Sequence, residues 1–319
     1  MPERVAFLGL GAIGAPMARH LASSPAFATA LWNRTASKAE ALVRSIAPAA
    51  GAEPPRVASS PADAARGALA VVTCLPSSRE VESLLDGPEG LLAGLERGAL
   101  LIDCTSGDPA TSRRIAARLA QRGAAFVDAP VSGGVAGAEQ GTLTVMCGGE
   151  ARDVERAGPV LATFGGKIVH CGPVGAGHAL KSVNNAFLAV HIWAAAEGLA
   201  ALEKAGVRAE VALDVINASS GRSNSSMSLF PERVLTRAFP RTFRLALLDK
   251  DVGIAAGVAR EQGVPAPLLQ LTAELFRMAH LALGEEADHV EAARVVEGWA
   301  GVEIGGNHDS SNEEMRNEG

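Results

Sequence analysis

Residues 5–18 read Val5-Ala6-Phe7-Leu8-Gly9-Leu10-Gly11-Ala12-Ile13-Gly14-Ala15-Pro16-Met17-Ala18. An apolar run, Val5 to Leu8, enters the glycines, and a helical pattern, Ala15 to Leu21, leaves them. Strand, then G-x-G-x-x-G, then helix is the context in which this spacing marks a dinucleotide site. Gly9 permits the tight turn, Gly11 lets backbone approach a pyrophosphate, and Gly14 lets the helix lie close to the strand. Gly9, Gly11, Ala12, Ile13 and Gly14 then form the cofactor cradle, with phosphates at the positive helix N-terminus. An ordinary tight turn is the plainer alternative.

The next apolar segment, Ala28 to Trp32, ends at Asn33-Arg34-Thr35, before a helical stretch Ala36 to Ile46. An NAD site usually places a carboxylate here to hold the ribose 2′-hydroxyl. None is present. Arg34 can face a 2′-phosphate, with neutral hydrogen bonds from Asn33 and Thr35, so NADP(H) is expected over NAD(H). In the other reading Thr35 or Ser37 only caps the helix and Arg34 is a solvated charge.

Further strands are expected at Val57, Leu69–Cys74, Ala99–Asp103, Ala124–Asp128, Thr142–Cys147 and Lys167–Cys171. Helices are expected at Pro61–Gly67, Arg79–Leu85, Glu89–Glu96, Pro109–Arg122 and Ala151–Phe164, and 48–55 reads as a Pro/Ala/Gly loop. Carboxyl ends of parallel strands line the ligand crevice, which adds Leu75, Pro76 and Thr105 to the expected cofactor residues. Ser77 and Ser106 lie there too, with a helix-cap role equally open for Ser77. After 171 the pattern turns helical: Ala176–Ala205, Glu210–Ala218, Pro231–Arg237, Leu245–Gln262, Pro267–Leu283 and Asp288–Trp299. The expected fold is an α/β, doubly wound parallel sheet of Rossmann type over 1–174, then an all-α domain over 175–304. Residues 305–319 read as a disordered tail. The cleft between the domains is the expected small-molecule site.

The 319 residues are 48% hydrophobic and 20% charged, with net charge -6, a soluble globular profile. The acidic balance argues against a nucleic-acid partner. No run reads as long enough to cross a bilayer, and residues 1–4 leave no room for a targeting peptide. Cys74, Cys104, Cys147 and Cys171 form no C-x-x-C pair. Reduced, mostly buried thiols in the cytoplasm are expected, and no metal site.

Three stretches carry candidate chemistry. Ser132-Gly133-Gly134, in a loop at a strand end, can present N–H groups and a hydroxyl to a carboxylate, or be a flexible turn. Lys181 and Asn185 lie four apart on one helical face. Lys181 is either a surface lysine or a proton donor to a carbonyl oxygen that gains charge during hydride transfer. In the oxidative direction it acts as base, and its ordinary pKa of ~10.4 must then fall. Lys250-Asp251 supplies a cation for a substrate carboxylate or the nicotinamide end. A helical ion pair between adjacent residues is not expected, and Asp251 reads as the partner of a buried donor. His178, His191 and Trp193 read as packing or surface residues. Side chains around 219–227 and Phe243 are expected to set substrate size.

Taken together, 9–18, Asp128-Ala129-Pro130-Val131-Ser132-Gly133-Gly134 with Gly137-Ala138 and Gly141-Thr142-Leu143, Lys181–Asn185 and Lys250-Asp251 resemble the β-hydroxyacid dehydrogenase family. That family includes 3-hydroxyisobutyrate dehydrogenases and semialdehyde reductases, and the resemblance runs to about Val302. It implies a Rossmann-type domain, a helical domain and a homodimer or homotetramer. It also implies Lys181 as catalytic lysine and Ser132, Gly133, Gly134, Asn185 and Lys250 as substrate-binding residues. Lys250 also lies toward the cofactor, and the 33–35 motif is similar to that of NADPH-using members. Two departures are minor: Thr105-Ser106 inverts the usual Ser-Thr order, and Ile13 replaces the commoner Met. The alternatives are an imine reductase and a non-catalytic NADP-binding protein, both of which generally lack a lysine at this position.

Overall fold

A computed structural model describes residues 2–47 and 53–306. Its contacts divide the chain into two compact units, Met1–Val183 and Asn184–Gly319.

The first unit runs β1 (Glu3–Leu8), α1 (Gly14–Ser23), β2 (Phe27–Trp32), α2 (Ala36–Ser45), β3 (Arg56–Val57), α3 (Pro61–Ala65), β4 (Ala70–Thr73), α4 (Ser78–Ser83) and α5 (Leu91–Gly94). It continues with β5 (Leu100–Asp103), α6 (Pro109–Ala120), β6 (Ala125–Asp128), β7 (Val131–Ser132), α7 (Gly134–Gln140), β8 (Leu143–Gly148), α8 (Ala151–Leu161) and β9 (Gly165–Gly172). The sheet order is β3-β2-β1-β4-β5-β6-β8, with β7 and β9 also paired to β8. Strand direction along β1 sorts side chains to two cores. Val5 and Phe7 pack with Met17 and Leu21 of α1 and Leu161 of α8. Ala6 and Leu8 pack with Val81 of α4 and Ile115 and Leu119 of α6. This is a sheet covered on both faces, which is why β4, Ala-Val-Val-Thr, is buried at every position.

Every pairing from β3 to β6 is parallel. This is the doubly wound parallel sheet expected from sequence; beyond that point the sheet becomes mixed. β8 is antiparallel to both β6 and β7, and β9 returns parallel to β8. Residues 133–142, the whole link from β7 to β8, are too few for a parallel crossover, which takes a dozen or more. The link holds α7, a helix the sequence reading missed. Gly133 and Gly134 open it at φ 136° and 64°, conformations that favour glycine.

From Ala176 the chain is helical: α9 (Ala176–Lys204), α10 (Ala209–Asn217), a π-helix (Ser225–Val234), α11 (Leu245–Glu261), α12 (Pro267–Leu283), a 3-10 turn (His289–Glu291) and α13 (Ala292–Ala300). The unit division falls inside α9, nine residues past the expected boundary at 174, because the first turns of α9 are tied to the sheet, as described below. Two expected helices change character. The segment read as Pro231–Arg237 overlaps only the end of the π-helix, which starts six residues earlier and stops at Val234. Its start is set by Ser223 and Ser226, each donating a backbone N–H to the other's hydroxyl at 2.8 and 3.1 Å. Pro231 within it cannot donate to the ladder. The segment read as Asp288–Trp299 is split, because Asp288 caps the 3-10 turn.

Trp193, Phe230, Leu248, Phe276 and Val290 are buried in the second unit, with the Trp193 ring 5.8 Å from Phe276 and 5.7 Å from Trp299. The carboxylate of Asp288 receives N–H bonds from Thr242, Phe243 and Val290 at 2.8–3.1 Å. Burial would raise its pKa. The bond and charge of His289 and the N–H donors outweigh burial and hold the group well below the ordinary carboxylate range. One expectation about membranes is corrected: α9, at 29 residues, is long and apolar enough to cross a bilayer by length and composition alone, though 44% of its most apolar window is buried. The expected tail is corrected at its start, since Gly305 N donates to Glu203 at 3.2 Å. The rest of that tail, 307–319, and residues 48–52 of the expected loop lie outside the described residues.

Candidate active site

The strand order reverses at β1 and β4, which have neighbours on opposite sides. The crevice at such a switch point is where open α/β sheets bind ligands. The glycine loop fills the β1 side. A Cβ on Gly9 would sit 2.3 Å from the carbonyl oxygen of Cys74, and Gly9 has φ 101°. A Cβ on Gly14 would sit 2.1 Å from the Gly9 carbonyl. Both glycines are required by the protein's own packing. Gly11 is different: a Cβ there meets nothing within 4 Å. The chain therefore leaves open space above the loop, where α1 begins with no side-chain cap and no acidic residue in its first turn. Gly11 and Ala12 are exposed and Ile13 half-buried. These features fit a dinucleotide pyrophosphate, with free N–H groups and a positive helix end as its partners.

The remaining cofactor candidates divide by what their side chains already do. Asn33 accepts the Leu10 N–H at 2.9 Å and so braces the glycine loop, while its amide N–H bonds the Thr35 carbonyl at 3.1 Å. Arg34 and Thr35 are exposed, and the Thr35 hydroxyl makes no cap bond to α2. Thr105 is buried and accepts the Leu75 N–H at 3.1 Å, joining the ends of β4 and β5. Leu75 is half-buried and Pro76 exposed at that rim. Ser77 caps α4, accepting the Arg79 N–H at 3.2 Å.

The carboxyl end of β6 organises the chemistry. Asp128 is fully buried and accepts N–H bonds from Gly175 at 2.6 Å and His178 at 2.9 Å. It thus satisfies the donors at the start of α9. Burial raises its pKa, against the two N–H bonds. Gly177 closes the packing, since a Cβ there would lie 2.2 Å from the Met146 carbonyl. Lys181 follows one turn later and is only 9% exposed. Ser132 ends β7, just past Asp128, with Gly133 and Gly134 exposed at the start of α7. The flexible loop expected here is instead a strand end and a helix start. Sheet topology thus brings Ser132, Gly133, Gly134, Lys181 and the glycine loop to one edge of the first unit. Sequence reading gave Asp128 no role; its position at a strand end, two residues before Pro130, was the available signal.

In the second unit Asn185 is buried and donates to Asp251 Oδ2 at 2.6 Å. Lys250 pairs with the other oxygen, Oδ1, at 3.0 Å. This corrects the expectation that adjacent residues would not pair: the long lysine chain folds back to its neighbour. Asp251 is the partner of a buried donor, as the sequence suggested. His178 is wholly buried, Trp193 is buried and donates to Glu197 at 2.8 Å, and His191 is exposed. All four thiols are free, and burial pushes Cys74 and Cys147 up to about 12. Among the described residues no group of His, Cys, Asp or Glu is arranged to hold a metal ion.

Residues 4–172 match the NAD binding domain of 6-phosphogluconate dehydrogenase. Residues 175–296 match the NAD-binding domain of NADP-dependent 3-hydroxyisobutyrate dehydrogenase. The NAD-dependent L-serine dehydrogenase of Pseudomonas aeruginosa is 36% identical over 282 residues, 86% of this chain and 92% of that protein. The 2-(hydroxymethyl)glutarate dehydrogenase of Eubacterium barkeri is 33% identical over 304 residues, 95% and 98% of the two chains. Among solved structures, Mycobacterium tuberculosis 3-hydroxyisobutyrate dehydrogenase with L-serine superposes with a TM-score of 0.81 at 31% identity, over 93% of this chain and 99% of that one. The chain therefore belongs to the β-hydroxyacid dehydrogenase family of nicotinamide-dependent oxidoreductases.

Proposed function

We propose that this protein interconverts a small 3-hydroxy acid and its semialdehyde, with NADP(H) as hydride carrier and Lys181 as the proton-transfer group. The observation that carries the reading is the burial of Lys181 one turn past the Asp128-held start of α9, at the sheet edge that also bears the open glycine loop. When bound, the nicotinamide supplies or accepts the hydride. In reduction, the Lys181 ammonium bonds the carbonyl oxygen, stabilises its growing charge and gives it a proton. In oxidation the neutral amine takes the hydroxyl proton. Ser132 and the N–H groups of Gly133 and Gly134 bind the substrate carboxylate. Asn185 and Lys250, joined through Asp251, are further substrate-binding side chains.

The substrate class is supported by a scaffold that the compounds named for the relatives share. Serine, 3-hydroxyisobutyrate and 2-(hydroxymethyl)glutarate each carry a hydroxymethyl group on the carbon next to a carboxylate. They differ only in the third substituent there. We assign this chain a substrate of that form. The preference for NADP(H) rests on Arg34, exposed at the end of β2 where no carboxylate is present. A homodimer or homotetramer is supported by Val211 and Val215 on α10 and Leu268, Leu271 and Leu281 on α12, all more than half exposed. Free thiols suit a reducing, cytoplasmic setting.

The test is turnover with both cofactors. NADPH and NADH oxidation are followed with glyoxylate and with the succinic, tartronate and methylmalonate semialdehydes, and reduction of NADP+ and NAD+ with L-serine and 3-hydroxyisobutyrate. Turnover is expected with at least one hydroxymethyl acid or its semialdehyde, faster with NADP(H). Tight NADPH binding with no turnover across the panel would contradict the reading.

A further inference from the structure

His178 is wholly buried, yet it is not an inert packing residue. Its Nδ1 lies 2.7 Å from the hydroxyl of Ser112 on α6. That hydroxyl has one proton, which it donates to the Asp108 carbonyl at 3.0 Å. The Ser112 oxygen is thus an acceptor toward His178, and Nδ1 carries the imidazole proton. The other ring nitrogen, Nε2, has no hydrogen-bond partner and no solvent. All the polar work of the ring is done by Nδ1. The backbone N–H of the same residue is held by Asp128 at 2.9 Å. The ring is also wedged against the chain that leaves β5: a Cβ on Gly107 would lie 2.8 Å from its Cε1. One residue therefore ties the first turn of α9 to both β6 and α6, three positions before Lys181.

We propose that His178, through the Nδ1 bond to Ser112, is a positioning residue that fixes where α9 presents Lys181 to the reacting oxygen. The proposal rests on the role given to Lys181 above. Catalytic groups are sensitive to placement: an error of about 1 Å costs on the order of 10²-fold in rate. An asparagine at 178 keeps a donor near the Nδ1 position and dispenses with Nε2, which has no bond to lose. A phenylalanine keeps the ring volume and removes the donor.

The experiment compares kcat, KM, NADPH affinity and melting temperature for wild type, His178→Asn, His178→Phe, Ser112→Ala and Lys181→Ala. His178→Phe is expected to lower kcat about 10–100-fold while substrate KM and NADPH affinity change less than about threefold. His178→Asn is expected to recover kcat to within about threefold of wild type although its smaller side chain lowers the melting temperature. Ser112→Ala removes only a hydroxyl and serves if the phenylalanine variant does not fold. It is expected to lower kcat, and to add nothing on top of His178→Phe in the double variant, as for two halves of one bond. Wild-type kcat in both His178→Phe and Ser112→Ala, with Lys181→Ala inactive, would overturn the positioning role and leave the lysine's role standing. Loss of kcat in step with melting temperature, with no recovery in His178→Asn, would overturn it as well. Full turnover in Lys181→Ala would remove both readings together.

Discussion

Gly11 and Gly14, three and six residues past the end of β1, should respond in opposite ways to the same added methyl group. In Gly14→Ala the new Cβ falls 2.1 Å from the Gly9 carbonyl oxygen, a backbone atom that cannot swing aside. Helix α1 must back away from the loop, at a cost of about 1–3 kcal/mol. For a unit of this size that lowers the melting temperature by roughly 2–12 °C. In Gly11→Ala the new Cβ meets no protein atom within 4 Å, so stability should stay within about 0.5 kcal/mol of wild type. The same methyl group occupies the space assigned to the cofactor pyrophosphate. Loss of one close charged hydrogen bond there weakens NADPH roughly 10–100-fold. Thermal melting without cofactor and fluorescence titration with NADPH read the two effects separately. Undiminished NADPH affinity in Gly11→Ala would refute the assignment of that space, whatever its melting temperature.

Arg34→Ala should weaken NADPH by about tenfold or more and leave NADH nearly unchanged, measured by titration with each; equal loss for both would remove the case for a 2′-phosphate contact. Asp288→Asn turns one acceptor into an NH2 group facing backbone N–H donors, and should cost about 2–4 kcal/mol at neutral pH in denaturant unfolding. The folded-state pKa of Asp288 is depressed, so its stabilisation is present above about pH 4 and lost as pH falls below that. The variant should lack that part of the acid decline, and an unchanged acid limb would contradict the pairing. Native protein at pH 8 should leave Cys147 unmodified by iodoacetamide, since burial holds its thiol protonated up to about 12, and urea should expose it; rapid native labelling would contradict its burial.

Local signals made the first unit readable. The glycine loop and the buried runs such as Ala70–Thr73 carry their structure in their own residues, and Asp108 followed by Pro109 announces the start of α6. What sequence could not carry is set by partners distant in the chain. The reversal after β6 depends on a link too short to cross over, and it only shows once β8 has found β6 and β7. The π-helix depends on two serines exchanging bonds three residues apart. Helical spacing gives no reason to expect the Lys250–Asp251 pair, yet a flexible lysine reaches a neighbour whose other oxygen is taken by Asn185. For the site, residue type and motif were enough to nominate Lys181, Ser132 and the glycines. The means of holding Lys181 in place, through Asp128, His178 and Ser112, lies in three contacts that span 47, 50 and 66 residues of sequence.

The most direct measurement is the pair of constants, kcat and NADPH affinity, in Lys181→Ala. A lysine that moves the proton at the reacting oxygen predicts a fall in kcat of about 10²–10⁴-fold with NADPH binding held within a few-fold of wild type. Turnover at the wild-type rate in that variant would contradict it.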